Sequence, residues 1–200
     1  MARGRPRTFD KDKALKHAML VFWRRGYRGT SLDDLTEAMD ISRPSLYAAF
    51  GDKEQLFMQV VDYYRKYMVG PGVTSLLNCN NLRHGLRAFF RGLANLVTGI
   101  EAPPGCLIAC LLSEECCESE LIKMKLATFI ENADQTFAKI FASHREELNP
   151  ALTPEVAGKL LLSTVHGLSI RARSGADKRT LQEVGDAFLE LVLRNAETKS

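Results

Sequence analysis

From Lys11 to Asn195, apolar residues return every three or four positions, and no convincing run alternates apolar with polar, so the pattern predicts an all-α protein of about nine helices. In DKDKALKHAMLVFWRRGY, Leu15, Ala18, Met19 and Phe22 share a face, and Gly26 supplies a stop. Leu32, Leu35 and Met39 form the buried stripe of a short second helix, capped by Thr30 or Ser31 and ended by a turn around Asp40 and Ile41. A third short helix turns Leu46 and Phe50 inward. Pro44 fits only its first turn and disfavours helical geometry in the residue before it, so either Ser42 or Arg43 is the cap. Gly51 ends this helix; Asp52 then caps a fourth, with Gln55 placed for a capping box.

The stretch from Pro71 to Asn81 is rich in Gly, Pro, Ser and Asn and is expected to interrupt the helical pattern, placing a domain boundary near residue 70. Beyond it, Leu82, Leu86, Phe89, Phe90, Leu93 and Leu96 mark one helix, and EAPPG breaks the chain before CLIACLLSEECC. A longer helix carries Ile122, Leu126, Phe129, Ala133, Phe137 and Ile140 and is broken at Asn149-Pro150. Two last helices run from Pro154 to Arg173, after a Thr153 cap, and from Lys178 to Asn195.

Composition adds limits. A chain of 200 residues, 46% hydrophobic and 26% charged, has enough apolar material for one sizeable core or two smaller ones, which excludes a disordered class. No run is long and apolar enough for a membrane span, and MARGRPRTFDKDK lacks the apolar segment of a signal peptide, so the expected site of action is the cytoplasm, away from membranes. Net charge is +3, but residues 1–16 hold six basic and two acidic residues, a net +4 that leaves −1 for the other 184. A basic arm on a nearly neutral body suits a polyanion.

That arm gives meaning to residues 31–50. Two short helices joined by a tight turn, held together by Leu32, Leu35, Met39, Ile41, Leu46 and Phe50, match a helix-turn-helix whose second helix starts in a major groove. Ser42 and Ser45 are small enough for close backbone approach to double-stranded DNA, and Arg43 reaches a guanine edge or a phosphate. Tyr47 lies outward between Leu46 and Phe50, and Lys53 opens the fourth helix; both are placed for phosphates.

Residues 26–57, GYRGTSLDDLTEAMDISRPSLYAAFGDKEQLF, resemble the DNA-binding signature of the TetR/AcrR family of bacterial transcriptional regulators. The resemblance covers aromatic-x-x-Thr-Ser, the apolar spacing of the first helix, Ser-x-x-x-Leu-Tyr at the second, and Phe-x-x-Lys-Glu-x-Leu. It implies phosphate contacts from Thr30, Tyr47 and Lys53, and base or backbone contacts from Ser42, Arg43 and Ser45. It also implies a minor-groove arm carrying Arg3, Arg5 and Arg7. Three positions depart from the usual pattern: Asp40 and Pro44 stand where Gly is frequent, and Ala49 where His or Tyr is common, so no contact is assigned to Ala49. The expected organisation is residues 1–70 as arm, helix-turn-helix domain and connecting helix, and residues 71–200 as effector-binding and dimerisation domain. The expected function is a repressor released from a pseudo-palindromic operator, working at the nucleoid.

The resemblance further implies a homodimer through a four-helix bundle of the last two helices. Locally, Leu160, Leu161, Thr164, Val165 and Leu168, then Leu181, Val184, Phe188, Leu191 and Val192, offer broad apolar faces, with Gly158 and Gly167 allowing close approach; the same faces also suit an internal core. In PPGCLIACLLSEECC, helical spacing places Cys106, Cys110 and Cys117 on one side, and Pro103-Pro104-Gly105 places Cys106 in a first turn that favours thiolate. A thiol switch centred on Cys106, with Cys110, Cys116 or Cys117 as resolving partner, competes with simple packing and with a soft-metal sensor. Noncovalent capture of an apolar effector near Phe89, Phe90, Phe129, Phe137 and His166 is the remaining alternative. No catalytic signature, cofactor motif or paired C-x-x-C is present, so neither an enzyme nor a resident cofactor or metal is expected, and a helical adaptor leaves the basic arm without a role.

Overall fold

A computed structural model of the chain describes residues 9–99, 102–115, 117 and 119–194. The arm residues Arg3, Arg5 and Arg7, and Cys116, lie outside the described residues. The chain is all-α, as its periodicity predicts. It divides into two compact units between Arg65 and Lys66.

The first unit contains α1 (Lys11–Arg25), α2 (Leu32–Met39), α3 (Arg43–Phe50) and α4 (Lys53–Tyr64). Each begins at a side chain that accepts a backbone N–H from its first turn: Asp10, Ser31, Ser42 and Asp52. The open choices at two starts are thereby resolved to Ser31 and Ser42. Asp52 and Gln55 form the expected capping box, and Ser31 makes another with Asp34. Between α2 and α3 the chain turns on Asp40, the single non-glycine residue with positive φ among those described (52°), a conformation that Asp tolerates better than most side chains. The fully buried core side chains include Phe22, Trp23, Leu35, Leu46, Leu56, Phe57 and Tyr64. Phe22 meets Phe57 edge-on at 5.0 Å, and His17 Nδ1 donates to the Ala38 carbonyl at 2.8 Å, tying α1 to the end of α2.

Asp34 accepts hydrogen bonds from the Ser31 amide and hydroxyl and pairs with Arg25. The Ser31 backbone N–H, then its hydroxyl, then Arg25 lower this carboxyl from 3.8 to about 2. A carboxyl whose folded value is depressed contributes stability that is complete above 3.8 and is lost as pH falls towards 2. Acid unfolding should therefore separate the natural chain from Asp34→Asn at neutral pH and bring them together in strong acid; parallel curves at every pH would refute this linkage.

The second unit carries the first correction. The expected interruption from Pro71 to Asn81 is only partly present: a wide π turn (Arg65–Val69) is followed by α5 (Gly70–Leu77), so residues 71–77 are helical and the break is confined to residues 78–81. Pro71 sits in the first turn of α5, directly after the π turn, a position where proline is compatible with helix. Then follow α6 (Leu82–Val97), a second π turn (Ile108–Leu112), α7 (Ser113–Glu115), α8 (Glu120–Ser143), α9 (Pro154–Arg173) and α10 (Lys178–Val192). Glu147 accepts the Leu82 amide at 3.0 Å, so the start of α6 is held by the loop after α8 as well as by Asn81. The core gathers Leu86 and Phe90 from α6, Phe137 and Phe141 from α8, Leu161 and Leu168 from α9, and Leu181, Phe188 and Leu189 from α10. Arg83–Glu190 and Arg87–Asp186 ion pairs lie along the α6–α10 seam. At its closing end, Asn149 N donates to Val192 O and Arg194 N to Glu147 O.

Three predicted dimer residues, Leu161, Leu168 and Phe188, belong to this internal core, at 0%, 2% and 6% exposure. Their stripe faces α8 and α6 rather than outward. Thr164, Val165 and Val184 are half-buried, and Leu191 is 71% exposed. The outward stripe of α9 is instead Val156, Leu160, Ser163, Gly167 and Ile170. Gly158 also moves inward: a Cβ there would stand 2.9 Å from Ala138 N and 3.0 Å from Asp134 O, so its close approach is to α8 of the same chain.

Candidate functional site

The start of α3 is open to solvent. Ser42, Arg43 and Pro44 are exposed and Ser45 is half-buried, while Leu46 and Phe50 are buried beneath them. Ser42 Oγ accepts the Ser45 amide, and the two hydroxyls lie 2.9 Å apart. Arg43 is the first residue of the helix, and its Nε and Nη2 donate to Asp33 Oδ1 at 3.0 and 2.7 Å. Asp33, by hydrogen bond and charge, raises the guanidinium pKa further, so Arg43 is a permanent cation here. Tyr47, one turn on, is 50% exposed. Lys53 opens α4 with its ammonium 4.4 Å above the Tyr27 ring.

Arg43 and Lys53 therefore stand on exposed or half-buried positions at helix starts, and Tyr47 on an exposed position one turn into α3. Thr30 does not. It is 1% exposed, and its hydroxyl donates to the Gly26 carbonyl at 2.7 Å, fastening the turn after α1. The hydroxyl expected to reach a phosphate is consumed inside the fold. Asp33 was not singled out by sequence reasoning: it stands ten residues before Arg43, and no local spacing rule joins positions on two different helices.

The thiol segment also departs from its expected form. Gly105 turns with φ 89° and its amide donates to Val97 O at 2.8 Å, closing the loop back on α6. Cys106 follows at 7% exposure, and Cys110 N donates to its carbonyl at 3.0 Å, one α-type turn on, but that spacing is not kept as far as Cys117, because Ile108–Leu112 is a π turn and α7 spans only Ser113–Glu115. Cys117 is exposed and beyond the helix, so the shared face of Cys106, Cys110 and Cys117 does not form. A Cβ on Gly105 would lie 3.0 Å from Cys110 Sγ and 3.0 Å from Ser169 O, so the Gly105 turn lies between this half-buried thiol and α9. Among the described residues, no group of three His, Cys, Asp or Glu is placed to hold a metal ion, which leaves the soft-metal alternative without a site there. Cys79 sits elsewhere, 4.0 Å from His144 Nε2; burial and then Glu147 raise its pKa and disfavour thiolate.

Of the apolar effector candidates, Phe90 and Phe137 are core residues, at 3% and 4% exposure. Phe89 links them, 5.9 Å from Phe90 and 6.0 Å from Phe137, both edge-on, and Phe90 continues to Phe188 at 5.4 Å. Phe89 and Phe129 are half-buried against this cluster. Burial lowers the His166 pKa, opposed by Asp134 on α8, so the imidazole is largely neutral at neutral pH.

Residues 14–60 match the profile of the bacterial regulatory proteins of the tetR family. The chain is 32% identical to the transcriptional repressor ComR of Escherichia coli K12 over 95% of its own length and 92% of that protein's. It superposes on a cysteine-substituted form of the regulator CifR, solved with a 26-base-pair operator duplex, with TM-score 0.83 and 33% identity across 93% of this chain and 98% of that one. The reduced form of Escherichia coli NemR shares the fold, with TM-score 0.77 at 18% identity over 92% of this chain and 99% of that one.

Proposed function

The chain belongs to the TetR family of bacterial transcriptional regulators, and from that premise we propose that it is an effector-responsive repressor that holds a pseudo-palindromic operator as a homodimer. The observation that carries this is the solvent-open start of α3 in a chain whose fold follows that of operator-bound CifR nearly end to end. In this reading Arg43 reads a base, Ser42, Pro44 and Ser45 allow close approach, Tyr47 and Lys53 hold phosphates, and the arm with Arg3, Arg5 and Arg7 adds minor-groove charge. Residues 1–70 supply the DNA-binding part and residues 71–200 the effector-binding and dimerising part, and the protein acts in the bacterial cytoplasm, on the nucleoid.

The dimer face proposed is the outward stripe of α9 with Leu191 of α10, where Val156, Leu160 and Ile170 are 45%, 42% and 58% exposed. A second copy would cover this otherwise costly apolar surface. The effector is proposed to be a small molecule or thiol-reactive species that acts in the second unit. Cys106 is favoured as the responsive thiol for its place at the start of a segment packed beside α9.

Fluorescence anisotropy on DNA flanking the gene tests both layers. The natural protein should bind and be released by a mild thiol-reactive reagent, whereas Cys106→Ser should stay bound. If both stay bound, the thiols are packing and the effector is noncovalent; if neither binds flanking DNA, autoregulation is excluded and the operator lies elsewhere.

A further inference from the structure

A guanidinium carries five N–H donors in one flat fork. In Arg43, the side formed by Nε and Nη2 is bound to Asp33 Oδ1, at 3.0 and 2.7 Å, so one edge is tied to α2. Because the group is planar, fixing that edge fixes the direction of the other, formed by Nη1 and the outer hydrogen of Nη2. That free edge presents two parallel donors, the pattern complementary to O6 and N7 of guanine in the major groove. The pair stands in the open, with side-chain exposures of 55% for Arg43 and 75% for Asp33, where a groove can reach it. Beside it, the Ser42 and Ser45 hydroxyls are turned towards each other.

Resting on the reading of α3 as the DNA-reading helix, we propose that Asp33 is a specificity-determining positioning residue: it holds Arg43 so that its outer edge meets a guanine. The carboxylate touches no base itself. Without it, the long arginine side chain samples many rotamers, and the nearest phosphates compete for its charge. With it, the pair is close to neutral, so Arg43 adds little to sequence-independent attraction and more to discrimination. Asp33 also stands in the first turn of α2, where the positive end of the helix dipole favours a carboxylate.

The test uses the full chain and three duplexes: one recovered by in vitro selection with the natural protein, its scramble, and the selected sequence with 7-deazaguanine in place of guanine. For Asp33→Asn, affinity for the scramble should rise and its salt dependence steepen. The selected-to-scrambled affinity ratio should fall about fivefold, and the penalty from losing N7 should shrink. Asp40→Asn, which removes a neighbouring charge without touching Arg43, should leave the ratio unchanged. In an Arg43→Ala background, Asp33→Asn should no longer move the ratio. If Arg43→Ala lowers the ratio and Asp33→Asn does not, the positioning role is overturned while α3 remains the reading helix. If Arg43→Ala changes neither the ratio nor the N7 penalty, the reading of α3 falls, and this proposal with it.

Discussion

Gly158→Val is expected to destabilise the second unit by about 3 kcal/mol, lowering its melting temperature by roughly 10 °C. The first atom of any side chain at this position would meet Ala138 N at 2.9 Å, Asp134 O at 3.0 Å and Phe137 C at 3.3 Å, all backbone of α8. Backbone in the middle of a 24-residue helix cannot swing aside as a lysine tip would, so α8 and α9 must separate. Separation loosens the contacts that Phe137, Ile140, Ala157 and Leu161 make in the same core. Gly167, on the same helix, provides the control, because a Cβ there has nothing within 4 Å. Gly167→Ala should raise the helical stability of an isolated protomer by up to about 1 kcal/mol. Thermal melts should place Gly158→Val below the natural chain, and a Gly158→Val chain that melts with the natural one would contradict the packing described here.

DNA affinity is expected to fall about ten-thousandfold between 50 and 200 mM salt, the behaviour of a complex that displaces about seven counterions. In the proposed reading the charges responsible are Lys53 and the arm residues Arg3, Arg5 and Arg7, counted twice in the proposed dimer, whereas Tyr47 would supply a neutral hydrogen bond. Deleting residues 1–8 should therefore flatten the salt slope markedly while leaving the helical circular dichroism in place. Lys53→Ala should flatten it by about one counterion per protomer for every sequence tested. Tyr47→Phe should weaken binding without changing the slope. A slope that is flat in the natural protein would mean that phosphate neutralisation does not hold the complex together.

Helix starts are written locally, and the sequence reading includes Ser31, Ser42, Asp52 and Thr153 among its caps while leaving Asp10, Asn81, Ser119 and Asp177 unassigned. Asp10, Ser31, Ser42, Asp52, Asn81, Ser119, Thr153 and Asp177 each cap a helix with their own side chain. What failed follows a physical pattern too. The Pro71 region looked like a linker because Gly and Pro punctuate it, yet a first-turn proline is compatible with helix, and α5 begins there without a side-chain cap. The thiol face failed because it assumed 3.6 residues per turn through a segment that winds more widely and then stops. On α9 the apolar residues spread round more than one face, so periodicity could not tell the stripe that meets α8 from the one left outside; that is why Leu161 and Leu168 stay open between dimer face and core until the packing is seen. At the DNA-reading end, Leu46, Tyr47 and Phe50 were separable by spacing alone. The burial of Thr30 and the tie between Asp33 and Arg43 were not, since both depend on how separate segments are folded against each other.

The α6–α10 seam joins residues as far apart as Arg83 and Glu190, 107 positions along the chain. On the ribosome, the four helices of the first unit are complete long before this seam can close. At bacterial rates of synthesis, α6 waits roughly 5–20 s for its partner to be made. During that interval Leu86, Phe90 and Ala94 have no α10 to cover them. The nascent second unit therefore passes through a window in which chaperone capture competes with folding, and a message truncated before α10 would yield a chain with its first unit complete and its second permanently in that window.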